Sequence, residues 1–176
     1  FISRPETSRL FLRALRASNE PIAFEMLGHA GDVHIQLNCR VSDVPHVRAS
    51  LEGYFPDIAV VDAPDRLLRA WNDSDPSLIV DFGLESEFFL PLASAQSFAI
   101  DPFIPLISAM GNVSENETLC FQVLFEKVRN PWREAVGDAL AGPDGKGIFV
   151  DAPDYLKLSA EKTGSPLWAA VIRVGA

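Results

Sequence analysis

The period of apolar and polar positions changes several times along the chain, and each change marks an element. Ser3-Arg4-Pro5-Glu6 has the form of a capping box, with Ser3 as N-cap and Glu6 three positions later. It opens a helix to about Ala17 whose apolar stripe is Leu10, Phe11, Ala14 and Leu15, leaving Arg9, Arg13 and Arg16 together on another face. Asn19-Glu20-Pro21 ends that helix, and a period of two takes over. Ile22, Phe24 and Met26 alternate, Gly28 to Asp32 turn, and Val33, Ile35, Leu37, Cys39 and Val41 alternate with His34, Gln36, Asn38 and Arg40. The pattern predicts a β-hairpin whose second strand has one wet face.

Ser42 and Asp43 start a second helix to Tyr54, with Pro45 in its first turn and Val44, Val47, Leu51 and Tyr54 directed at a sheet. Pro56 stops it, residues 57–62 read as a short strand, and residues 63–77 as loop or a brief turn of helix. Residues 78–82 resume a strand, Gly83 bends the chain, and residues 85–92 extend again. Asp101-Pro102 caps a helix carrying Phe103, Leu106, Ile107 and Met110, which Gly111-Asn112 ends. Residues 118–127 form a strand with Leu119, Phe121, Val123 and Phe125 on one face and Cys120, Gln122 and Leu124 on the other.

Strand 33–41, helix 43–54 and strand 57–62 make one β-α-β unit, and strand 78–82, helix 102–110 and strand 118–127 a second. Two such units predict an α+β fold, a ferredoxin-like split βαβ sandwich with helices on one sheet face, an extra leading strand and an N-terminal helix. A helix-strand extension follows: a short helix from Trp132 to Leu140, the loop Ala141 to Gly147, a helix capped at Asp151 to Asp154 with Gly164 as C′, and a strand from Pro166 to Val174. One domain over residues 1–176, with its core at about 20–128 and the extension at 129–176, suits a chain within the usual range of roughly 100–200 residues. Phe1 in place of Met predicts a piece of a longer protein.

Charge narrows the partners. The net charge of −9 is concentrated in residues 51–120, where 12 acidic residues face only Arg66 and Arg69. The body of the domain is therefore expected to repel nucleic acid, whose binding requires a concentrated basic face. The Arg9, Arg13 and Arg16 stripe is the exception, readable as a solvated face or as a docking face for an acidic partner. No apolar run reaches the roughly 18–20 residues that cross a bilayer, so no membrane insertion by this chain is expected. Cys39 and Cys120, both in strand-like runs, read as small buried hydrophobes in a reducing, cytoplasmic setting.

The chemistry-bearing patterns are incomplete. Gly142 to Gly147 lacks the phosphate-loop spacing, and Lys146 precedes Gly147 where a hydroxyl would have to reach Mg²⁺. His29, His34 and His46 share no metal-ligand spacing, there is no nucleophile elbow, and Glu85 and Glu87 read as a solvated strand edge. Trp132 and Trp168 read as core anchors. No cofactor, metal or catalytic residue is expected.

The run from Asp101 to Trp132 resembles the N-terminal region that precedes the motor in FtsK/HerA-like, TraG-type DNA-translocating ATPases of conjugation and type IV secretion. There a DP-initiated helix, a short turn with a Glu and a strand of the form xxxQVLxxP recur. Asp101, Pro102, Glu117, Gln122 and Val123 hold those places, and Glu126-Lys127-Val128 stands where a proline is common. Tyr54 to Asp57, Asn130 to Arg133, Val150 to Asp154 and Ser165 to Val174 are similar too, so the resemblance spans most of residues 33–174. Its motifs are caps and strand ends, and no catalytic residue carries over. The resemblance implies a non-catalytic accessory domain that mediates self-association or docking to a protein partner. Any ATPase or membrane span would then lie in sequence outside this chain. A small-molecule-binding or sensory module on the polar face of His34, Gln36, Asn38 and Arg40 is the alternative, and an enzyme the third reading.

Overall fold

A computed structural model describes residues 5–73, 78–92, 98–128, 132–142, 146–149, 151–164 and 166–176. The elements are α1 (Pro5–Leu15), β1 (Ile22–His29), β2 (Asp32–Asn38), a 3₁₀ turn (Val41–Asp43), α2 (Val44–Tyr54), α3 (Arg66–Asp73), β3 (Ile79–Phe82), α4 (Phe103–Met110), β4 (Thr118–Lys127), α5 (Trp132–Leu140), α6 (Tyr155–Thr163) and β5 (Trp168–Gly175). The fold is α+β, and its five strands form one antiparallel sheet in the order β2-β1-β4-β5-β3. The chain divides into two compact units, one of residues 1–82, 103–126 and 170–176, the other of residues 83–102 and 127–169. The capping box at Ser3 lies outside the described residues.

In the first unit the hairpin is longer than the periodicity suggests. β1 continues through Gly28 and His29, and the turn shrinks to Ala30 (φ 50°) and Gly31 (φ 82°), two left-handed residues of the kind that match the twist of a tight hairpin. Gly28 belongs in the strand because α4 presses on it: a Cβ there would stand 2.6 Å from the Met110 carbonyl oxygen. β1 sits between β2 and β4, with Met26 opposite both Ile35 and Phe121 and Glu25 opposite both Gln36 and Gln122. One sheet face is therefore apolar, made of Ile22, Phe24, Met26, Val33, Ile35, Leu37, Leu119, Phe121, Val123 and Phe125. α4 lies on this face, burying Met110 completely and setting Phe103 edge-on to Phe121 at 6.0 Å. Of the apolar stripe expected to be covered on α4, Phe103 and Ile107 remain exposed, as does Ile104 beside them. α1 packs on α2, with Phe11 against Tyr54 and Phe55, Leu15 and Val47 buried, and the His46 ring donating to the Ala14 carbonyl at 2.9 Å.

The strand expected at residues 57–62 does not form, and the reason is a side chain. Arg48 donates to the Val60 carbonyl at 3.1 Å and pairs with Asp62, occupying the main-chain acceptor that a ladder would need. Asp65 then caps α3 through the Leu68 N–H at 3.1 Å. Without that strand the first β-α-β unit is not closed, and beyond the α+β sheet the ferredoxin-like sandwich of two closed units is not borne out. β3 and β4, which α4 follows and precedes, instead lie on either side of β5 in the sheet.

The second unit is centred on buried Phe89, Val136 and Leu140, with Leu90, Trp132, Tyr155 and Leu156 against them. The strand expected over residues 85–92 is a series of turns, closed by the Leu90 N–H on the Glu87 carbonyl at 2.9 Å. Adjacent Phe88 and Phe89 drive this, since Phe88 packs on Trp132 at 5.5 Å while Phe89 meets Tyr155 at 5.4 Å, and alternation would send them to opposite faces. α6 begins one residue after Asp154, whose side chain makes no cap bond, and Gly164 closes it with a right-handed φ of −65° in place of the left-handed C′ conformation.

Candidate functional site

The polar sheet face holds the densest cluster of functional groups in the first unit. Glu25 on β1 is 2% exposed, a carboxylate buried at the middle of the sheet. Its register partners supply the compensation. Gln36 on β2 donates to Oε2 at 2.6 Å, and Gln122 on β4 donates to Oε1 at 2.6 Å. Asn38, two residues along β2 on the same face, adds a second donor to Oε2 at 2.7 Å. Three amide dipoles thus spread and stabilise a charge that would be costly in an unpaired state. Gln36 gives its other hydrogen to Asp65 Oδ1 at 3.2 Å and accepts from the Arg66 N–H at 3.4 Å, which fixes the start of α3 on this face.

The alternation of β2 made Gln36 and Asn38 candidates for ligand contact on an open face. They are turned inward and spent on Glu25. Glu25 itself escaped the sequence reading because it stands within the apolar run Ile22 to Leu27, and its only signal was the presence of amides in both neighbouring strands. A general base needs an accessible lone pair aimed at substrate. Here both oxygens already accept short hydrogen bonds. On the same face Cys120 is buried, and desolvation, then the nearby charges of Glu25 and Asp65 acting against Arg173, push its thiol up to about 12. Cys39 is raised too, by desolvation and by Asp43. Neither sulfur is poised as a thiolate nucleophile, and both are free of disulfides.

The arginine stripe divides. Arg9 and Arg13 stand exposed, one helical turn apart on α1, whereas Arg16 is half-buried, falls after the last helical residue and carries contacts of its own. Leu10, next to Arg9, is exposed as well. Elsewhere, the His29 ring donates to the Glu117 carbonyl at 3.0 Å, an ordinary structural role. In the loop Ala141 to Gly147, residues 143–145 lie outside the described set, while the Gly142 N–H meets the Lys146 carbonyl at 2.7 Å and closes the turn on itself.

Open clefts lie among the described residues of the second unit. One of about 350 Å³ is lined by Leu84, Glu85, Glu87, Phe88 and Tyr155, so the two glutamates stand at a cleft and not on a strand. Another, about 310 Å³, lies between α5 and α6 with Glu134, Asp138, Ser159 and Thr163. Lys162 near the first donates to the Phe88 carbonyl, and burial lowers its pKa. Among the described residues no three His, Cys, Asp or Glu side chains are gathered as a metal would require, and no helix is long and apolar enough to cross a membrane. No protein-family model, no curated protein and no solved structure matches this chain.

Proposed function

We propose that this is a non-catalytic accessory domain of a conjugation or type IV secretion-type DNA translocase, cytoplasmic in setting, which mediates assembly or docking to a protein partner and leaves ATP hydrolysis to sequence outside the chain. The observation that carries the non-catalytic reading is the Glu25 cluster. The buried Glu25 carboxylate on the polar face accepts from three amides, so the groups best placed for chemistry are spent on holding the sheet. The translocase assignment draws on the Asp101 to Val174 resemblance. Exposed Arg9 and Arg13 on α1 supply a basic face on an otherwise acidic domain, which suits an acidic protein surface.

The test is a DNA-transfer assay with the parent protein carrying Arg9→Glu, Arg13→Glu and Arg16→Glu. Transfer is expected to fall about tenfold or more, the consequence of losing about 1.4 kcal/mol of docking energy. ATP turnover should be unchanged. Full transfer by the charge-reversed protein, with its fold intact, would remove the docking role. The ligand-binding alternative is the weaker reading, because Gln36 and Asn38 are already engaged by Glu25.

A further inference from the structure

β3 is the last strand of the sheet, and among the described residues no strand pairs with its outer edge. Leu78 and Ala176 exchange both main-chain hydrogen bonds, at 2.8 and 2.9 Å. Antiparallel alternation then directs the N–H and C=O groups of Val80 and Phe82 to β5, and those of Ile79 and Asp81 outward. Among the described residues, no hydrogen bond reaches the outward main-chain groups of Ile79 or Asp81. Sheet edges are normally blunted by lysine, proline, a bulge or a covering element. β3 reads Ile-Val-Asp-Phe, all four residues are exposed, and its one charge is neutralised by Arg173, whose Nε lies 3.4 Å from Asp81 Oδ1 without hydrogen-bond alignment.

We infer that this edge pairs with the same edge of a second copy, antiparallel about a two-fold axis through Val80. The inference rests on the assembly role proposed above and names its partner. The argument for self-pairing is the register. Residues opposite one another must share a sheet face, so the axis has to pass through a residue and not between two. Centring on Asp81 would oppose two aspartates, which is unfavourable. Centring on Ile79 would leave Asp81 and Phe82 overhanging. Centring on Val80 sets Ile79 opposite Asp81 of the second copy, twice, and these are the residues whose N–H and C=O groups point outward. That register satisfies every outward group of the strand and keeps the Asp81–Arg173 pair. It also places Val80 against its own copy and Phe82 against Leu78, a continuous row of apolar pairs from side chains that are 45%, 58% and 69% exposed. An occupant of other sequence would not need this symmetry.

Light scattering and sedimentation equilibrium of the 176-residue chain test the inference. A dimer with a dissociation constant on the order of 0.1 mM is expected, as suits an interface below about 1,200 Å². Val80→Lys sets two like charges on the axis and is expected to weaken the dimer about tenfold or more, while Ile79→Lys faces Asp81 of the second copy and leaves it intact or tighter. Should Val80→Lys disturb the fold by circular dichroism, Ile79→Pro removes only an outward N–H and is expected to abolish pairing with β5 undisturbed. A chain that stays monomeric to about 1 mM, a range that covers even weak encounters, overturns the inference. So does a dimer indifferent to Val80→Lys. Either result combined with a DNA-transfer defect in the arginine variants would sink the β3 pairing alone and leave the accessory role standing.

Discussion

A buried carboxylate and the three amides that donate to it stabilise the sheet only together. Removing Glu25 takes the shared acceptor from half-buried Asn38 and Gln122, while Gln36 keeps Asp65, so Glu25→Ala is expected to cost about 2–3 kcal/mol in urea denaturation. Glu25→Gln keeps the shape but turns an amide donor towards other donors, for about 1–3 kcal/mol. Cys120 gives a pH signature of known sign. Burial pushes its thiol up from the ordinary 9.0 to about 12, so folding favours the protonated form. That contribution is complete below pH 9 and is lost as pH rises from 9 towards 12. The fall in denaturation midpoint over that window is expected to be shallower in Cys120→Ala, the comparison that isolates this sulfur from tyrosines and lysines titrating in the same range.

At the scale of elements, close approach decides which strand and helix meet. Gly28→Ala would drive a methyl into Met110 main-chain and Cβ atoms at 2.6–2.8 Å, and is expected to lower stability by about 2–3 kcal/mol as α4 is pushed off the sheet. The hairpin turn works the other way. Ala30 holds a left-handed φ of 50° that its methyl disfavours, so Ala30→Asn is expected to raise stability by about 0.5–1 kcal/mol, read as a higher denaturation midpoint. Helices α2 and α4 were legible because period, cap residues and stop signals agree over their lengths. The strands at residues 57–62 and 85–92 were misread because short apolar runs do not reveal whether a ladder partner exists. In one case Arg48 takes the carbonyl, and in the other two phenylalanines are claimed by one aromatic cluster.

For the whole molecule, acidity is the dominant physical property. With 12 acidic residues against two arginines in residues 51–120, duplex DNA is expected to show no measurable anisotropy change with this chain at physiological salt, and any weak signal at low salt to vanish steeply as salt rises. Binding that survives physiological salt would mean that the arginines of α1 act on nucleic acid and not on a protein. The sequence by itself determined the α+β class, the position of most helices and strands, the segregation of charge and the lack of a phosphate-loop or nucleophile motif. These follow from local period and residue type, which need no knowledge of what lies opposite. Tertiary structure alone decided that β3 is the last of the five strands, that Gly28 is strand and not turn, and that Glu25 draws its donors from two neighbouring strands. Each of these is a pairing across the sheet, and a linear pattern records which face a side chain takes without recording what meets it there.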